Sequence, residues 1–212
     1  MDFERARRVA VRAMRTAAWK DAIRGEDPTM LAHIPQLTRI NKLGMITWNS
    51  QAGRNSRYFS NKTGKEELAA ERAYCVGFVR ADVADAFIEW MWLHTDKCVA
   101  RMGLADEKTD HTVGRIGVTV AQTGKAWETS VSPHFEANDR RCNYPPMIFE
   151  WNSTPMHMKA RAQIGEYLAH PVPETAVAVM LVDMRWGRRA NAPKGLFTEI
   201  ERGLAHVGRL QQ

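Results

Sequence analysis

The 212-residue chain has no long apolar run. No stretch approaches the ~18 uninterrupted apolar residues of a membrane-spanning helix, which argues against a helical membrane protein. Cysteine is scarce. Cys75, Cys98 and Cys142 are odd in number and widely spaced, with no CxxC and no Cys/His pair at zinc spacing. That argues against a disulfide framework and a structural zinc site, and favours buried small hydrophobes or idle thiols. No GxGxxG or GxGxG loop is present, so nothing indicates a dinucleotide fold or a standard methyltransferase. No GxSxG, HxxxH or HExxH accompanies the seven scattered histidines. His134 near Glu136 and His157 between methionines read as surface or packing residues. The acid pairs Glu66-Glu67 and Glu199-Glu201 read as solvated helix faces. No catalytic constellation and no metal site emerges. The first residues lack the apolar core of a secretory signal, and Asp2, Glu4 and Asp21 argue against a mitochondrial presequence. A cytoplasmic or nuclear protein is expected.

A hydrophobic content of 44% with seven tryptophans supports a real core, and the length suits one domain with at most a short appendage. The formal charge is +6 and the pI about 9.4. Residues 1–24 carry seven Arg/Lys against three acids, and Arg185–Lys194 carries four bases and no acid. This balance admits nucleic acid, an acidic protein or an anionic small molecule as partner.

Apolar spacing predicts an amphipathic helix over 3–23 with Phe3, Ala6, Ala10 and Ala17 on one stripe, ended by Gly25. The expected division is a basic N-terminal helix, 1–25, and a domain over 26–208. Asp27 before Pro28 reads as a helix cap. Leu37, Ile40 and Leu43 predict a helix stopped by Gly44. A short strand Met45–Trp48 follows, broken by the turn formers Asn49–Gly53. Arg54–Lys65 reads as a polar loop, either a lid or a disordered excursion, and Glu66–Arg72 as one or two helical turns. Ala73–Val79 is apolar throughout, as in a strand buried on both faces. Asp82 then caps a helix bearing Val83, Phe87, Trp90, Met91 and His94. Gly103–Thr112 is a charged connection. Val113–Ala121 and Trp127–Val131 form strands about a turn at 122–125. Pro133–Tyr144 is a polar loop, Met147–Trp151 a strand, Met156–Leu168 a helix and Thr175–Met184 a strand. Trp186–Lys194 is a basic loop before a last helix, Leu196–Val207. This intermixing predicts an α+β fold, a mixed sheet flanked by helices, and not a Rossmann fold.

The stretch Leu37–Gly53, LTRINKLGMITWNSQAG, closely resembles the start of the C-terminal regulatory domain of eukaryotic methylenetetrahydrofolate reductase, with Ala52 where that family has proline. Three weaker likenesses follow in the same order: Glu71–Tyr74 with its apolar run and helix, GKAWETSVSP at 124–133, and Met180–Asp183 with Leu196-Phe197. Together they span roughly residues 36–206. The resemblance implies a ligand site of irregular loops on a mixed sheet that binds S-adenosylmethionine or S-adenosylhomocysteine, with no metal. The chain has no room for the reductase's catalytic barrel. Thr47, Ser50 and Thr129 match family positions whose hydroxyls contact the adenosyl ligand; Asn49 and Gln51 belong to the same candidate site and are read as bracing its loop. The family's acid–threonine pair aligns with Thr29-Met30, so that contact is missing or comes from Asp27 or Glu26. A sulfonium favours carboxylates and aromatic faces, which Trp48 or Trp127 could offer, and strand alternation equally allows Trp48 to enter the core. The expected function is non-catalytic binding of the adenosyl compound, as a sensor or sequestering protein. The alternatives are an interaction module that docks on an acidic partner or nucleic acid through residues 1–24, and an enzyme acting on the adenosyl compound.

Overall fold

The computed structural model describes residues 2–60, 64–101, 115–122 and 147–150, and then 162, 164–166, 168, 172–173, 175–183, 185 and 187–210. Outside them lie the expected connection at 103–112, the turn at 123–125, the strand at 127–131 with Thr129, the loop at 133–144, and most of the helix expected at 156–168. Cys142, His134 and His157 lie there too.

The element order is α1 (Phe3–Ala13), α2 (Ala17–Glu26), a 3-10 turn (Pro28–His33), α3 (Ile34–Leu43), β1 (Met45–Ser60), β2 (Lys65–Val79), α4 (Ala81–His94), β3 (Lys97–Arg101), β4 (Arg115–Gln122), β5 (Met147–Glu150), β6 (Val177–Asp183) and α5 (Leu196–Arg209). Helices and one sheet make an α+β fold. The sheet runs β3-β6-β2-β4-β5, with β1 paired along the other edge of β2. The sheet was expected to be mixed, yet every described pairing is antiparallel. The reason is topological. β2–α4–β3 is a crossover, but β6 lies between its two strands and is antiparallel to both.

β2 holds the sheet together. Its first half pairs with β4 and its second half with β6, while β1 follows its whole length. Residues 73–79 and 177–183 are buried throughout, as continuous apolar runs in a two-sided sheet should be. Met45, Cys75, Val79 and Leu181 face Leu37 and Ile40 of α3, Phe87 and Met91 of α4, and Ile200 and Leu204 of α5. Ile46, Tyr74, Val76, Phe78 and Met180 face Phe3, Ala6 and Ala10 of α1, with Ile164 and Leu168. α1 is thus built into the second core.

Several expectations are corrected. The single helix over 3–23 is two, because the Thr16 side chain accepts from the Trp19 N–H and caps a new helix, which runs past Gly25 to Glu26. Where a loop was expected at 54–65 and helical turns at 66–72, residues 54–60 and 65–72 belong to two long paired antiparallel strands. There Arg54 stands opposite Glu71, and Arg57 pairs with Glu66 at 3.5 Å. A partner strand satisfies the backbone of these polar residues, and no local periodicity announces it. Asn49–Gly53 likewise stays within β1. Asp82 lies in the first turn of α4, where Arg80 is the capping residue and Asp82 its ion-pair partner. Glu199 is buried and bonded to Arg202, so it does not lie on a solvated face. The basic loop after β6 is neutralised at its start: Arg188 and Arg185 lie 3.0 and 3.4 Å from Asp96. Other expectations hold. Asp27 caps the 3-10 turn with Pro28 behind it, and Gly44 ends α3 at φ 130.

Gly53 carries a second local constraint. It sits in β1 at φ 57, where a Cβ would lie 2.5 Å from the Arg188 carbonyl oxygen, and the Ala190 N–H donates to the Ala52 carbonyl at 3.0 Å. Glycine lets the loop 187–195 cover this edge of the sheet. Among the described residues no helix is long and apolar enough to cross a membrane.

His33, buried at the end of the 3-10 turn, meets the Phe197 ring edge-on at 5.7 Å. Burial, and then the Arg189 charge, lower its pKa, while Asp27 opposes them. The unfolded chain therefore takes up this proton first as pH falls. The His33 contribution is complete above the ordinary histidine pKa of about 6.5 and declines below it, by at most ~1.4 kcal/mol per pH unit. Urea unfolding of wild type and His33→Phe between pH 7.5 and 5 should show a shallower acid loss in the variant. Equal slopes would remove His33 as the cause.

Candidate functional site

The helix-to-strand turn after α3 is fixed by a side chain. Asn41 is fully buried; its Nδ2 donates to the Leu37 carbonyl and to Thr47 Oγ1, both at 2.8 Å, and its Oδ1 accepts from the Thr47 N–H at 3.1 Å. Gly44 turns the chain between the two. The spacing Asn41–Gly44–Thr47 in the motif is therefore a clamp joining α3 to β1. Arg7 of α1 reinforces it, donating to the Asn41 carbonyl at 3.1 Å and to the Lys42 carbonyl beside it, at the negative end of α3.

Immediately after the clamp β1 carries a bulge. Thr47 pairs with Gly77 and Asn49 with Val76, leaving Trp48 as the extra residue. A bulge re-aims side chains and recurs beside functional sites. Here it brings five successive residues, Thr47, Trp48, Asn49, Ser50 and Gln51, to the wall of one cavity of about 380 Å3. The opposite wall comes from Ala10 and Met14 of α1 and from Trp19, Ala22 and Ile23 of α2. Asp27, Met30, Ile46, Tyr74, Ile164 and Leu168 complete the lining. The volume lies within the ~300–1,000 Å3 range of small-molecule pockets, with an apolar body and a few convergent polar groups.

The polar groups differ in what they have left to offer. The Thr47 hydroxyl accepts from Asn41 and keeps its own proton to donate. Asn49 Oδ1 accepts from the Tyr74 hydroxyl at 3.4 Å. Ser50 is half-buried, and its hydroxyl has no partner among the described residues. Gln51 hydrogen-bonds to Asp27. Trp48 is half-buried and packs against the second core while also lining the cavity, so it belongs to both environments. Thr129 lies outside the described residues.

Asp27 is the carboxylate of this cavity. It accepts from the Thr29 N–H at 2.9 Å and the Thr29 hydroxyl at 2.6 Å, with Arg54 3.7 Å away. Burial pushes its pKa up, but the Thr29 and Gln51 hydrogen bonds and the Arg54 charge outweigh it and hold the group below the ordinary carboxylate range. At neutral pH the cavity wall therefore carries an ionised carboxylate, partnered by Arg54, and the same wall includes the indoles of Trp19 and Trp48. Such a site suits a ligand with a cationic centre and several hydroxyl or amino groups. Asp27 and Tyr74 are the ionisable groups among the described lining residues.

Sequence reasoning reached the β1 residues and named Asp27 only as one of two possible acids. It missed Tyr74, Trp19 and the role of Asn41. The Asn41–Thr47 separation of six residues around a helix-stopping glycine is the signal that reveals the clamp. No protein-family model matches the chain, and no curated protein matches it.

Because Thr47 has two potential duties, its variants separate them. Thr47→Val deprives the Asn41 amide of an acceptor and should cost about 1–3 kcal/mol in urea unfolding, whereas Thr47→Ser, which keeps the oxygen, should cost less. Equal losses for both would deny the clamp.

Proposed function

We propose that this chain is a non-catalytic domain that binds S-adenosylmethionine or S-adenosylhomocysteine, as a sensor or as a protein that sequesters the ligand. One observation carries the reading: the five successive residues Thr47–Gln51, singled out by the motif, share a single cavity with the ionised Asp27. The likeness to the reductase regulatory domain rests on its motifs; what the cavity adds is that the motif residues share a wall with Asp27, Trp19 and Tyr74, which lie outside that stretch.

The cavity's chemistry matches the parts of such a ligand. Asp27 offers a counter-charge to the amino-acid ammonium or the sulfonium. Trp19 and Trp48 offer faces to the adenine or to the sulfonium methyl. Ser50 and Thr47 offer hydroxyls to ribose or carboxylate oxygens, and each can donate or accept. In the reductase domain an acid followed by threonine contributes. Here Asp27 takes that place two residues earlier, with Thr29 holding its carboxylate.

Thermal unfolding at rising ligand concentration tests this. A ligand at 100 times its Kd adds about 2.7 kcal/mol, several degrees for a domain of this size. Wild type should be stabilised by both compounds, and Ser50→Ala should weaken both. Asp27→Asn should weaken the sulfonium compound about tenfold more than its neutral-sulfur counterpart, since only the former carries the extra charge. No stabilisation of wild type by either compound at millimolar concentration would reject the reading.

A further inference from the structure

We propose that the outer face of α1 binds the phosphate backbone of duplex nucleic acid without reading its sequence. Arg5, Arg8 and Arg12 lie on α1 and Arg15 just beyond it, at steps of three, four and three residues, and all four are exposed. That spacing keeps Arg5, Arg8 and Arg12 on one side of the helix over about 10 Å, with Arg15 following at the turn after it. Arg5, Arg8 and Arg12 line one shallow hollow together with Val9.

These four guanidinium groups have no carboxylate partner among the described residues. They contrast with Arg24, Arg39, Arg57, Arg80 and Arg202, each of which sits against an acid. The acids of α1 itself are engaged elsewhere: Asp2 caps the helix, and Glu4 pairs with Arg7. Three charges in a row on one helix, with a fourth just past its end and none paired to an acid among the described residues, call for a polyanion.

The details favour phosphates on a duplex over the other polyanions. The stripe is entirely arginine, whose planar fork matches phosphate oxygens bidentately. A protein interface would want an aromatic or aliphatic anchor among the charges, and among the described residues Val9 is the one apolar side chain in the hollow. Insertion into a membrane surface would need the apolar face of α1, but Phe3, Ala6 and Ala10 are buried in the core. Among the described residues no aromatic side chain lines the hollow beside the stripe, which gives unpaired bases no stacking platform there. The helix is also held rigidly, through that apolar face and through the Arg7 bonds to the end of α3.

Fluorescence anisotropy with a labelled 20-base-pair duplex tests the proposal on the full chain. Four phosphate contacts predict a slope of log K against log salt near −3.6, which is about a hundredfold loss of affinity between 50 and 200 mM salt. Arg8→Glu/Arg12→Glu should weaken binding at least tenfold and flatten the slope by about 1.8. The same change of charge at exposed sites elsewhere, Lys65→Glu/Arg209→Glu, should alter affinity less than threefold. Unfolding curves establish that the α1 variant is folded, and Arg8→Gln/Arg12→Gln replaces it if it is not. The proposal is overturned if no duplex binding occurs at 50 mM salt, or if the α1 variant binds as wild type does. It is overturned equally if polyglutamate, single-stranded DNA or phosphatidylserine vesicles bind more tightly than the duplex at matched salt.

Discussion

Asn41 is fully buried, and its side chain spends both donors and its oxygen on Leu37 and Thr47. Burying an amide is tolerable only when it is satisfied in this way, so the end of α3 and the start of β1 are held in one relative position. Everything around the cavity follows from that joint. Gly44 supplies the turn, the bulge at Trp48 comes directly after the clamped Thr47, and the strand beyond presents Asn49 to Gln51. The same helix end accepts Arg7, which fixes α1, and α1 contributes Ala10 and Met14 to the far wall. A hydrogen-bonded joint thus sets the distance between the two sides of the pocket.

The rest of the fold keeps β1 in place from behind. Lys97 and Asp183, opposite each other on β3 and β6, form an ion pair at 2.9 Å with both side chains fully buried. Such a pair stabilises little relative to apolar residues, but it strongly disfavours any register that would leave one charge alone. Arg188 extends the network to Asp96, and from there the loop 187–195 reaches Ala52 and Gly53. The edge of β1 next to the site is therefore anchored to the far side of the sheet.

How much of this the sequence revealed depends on whether the cause is local. Gly44 as a stop, Asp27-Pro28 as a cap, the apolar run Ala73–Val79 and the stripe of α5 each carry their signal within a few residues, and each is found where expected. The strand segments over 54–60 and 65–72 were missed because their partner strands, not their own composition, satisfy their backbone. The break at Thr16 was missed because the apolar stripe continues across it, and only the capping hydroxyl divides it. Glu199 misled through its neighbour Glu201, since its burial depends on how α5 packs. For the site, the β1 residues were legible from a contiguous motif. Tyr74 and Trp19 come from elsewhere in the chain and meet them only in three dimensions.

The most direct measurement of the central claim is a heteronuclear NMR titration of the 15N-labelled chain with S-adenosylhomocysteine. The indole N–H signals of Trp19 and Trp48 should shift together with the amides of Ser50, Gln51 and Asp27, while those of Trp90 and Trp92 on α4 stay fixed. Shifts confined to other regions, or none at millimolar ligand, would contradict the assignment of this cavity as an adenosyl-ligand site.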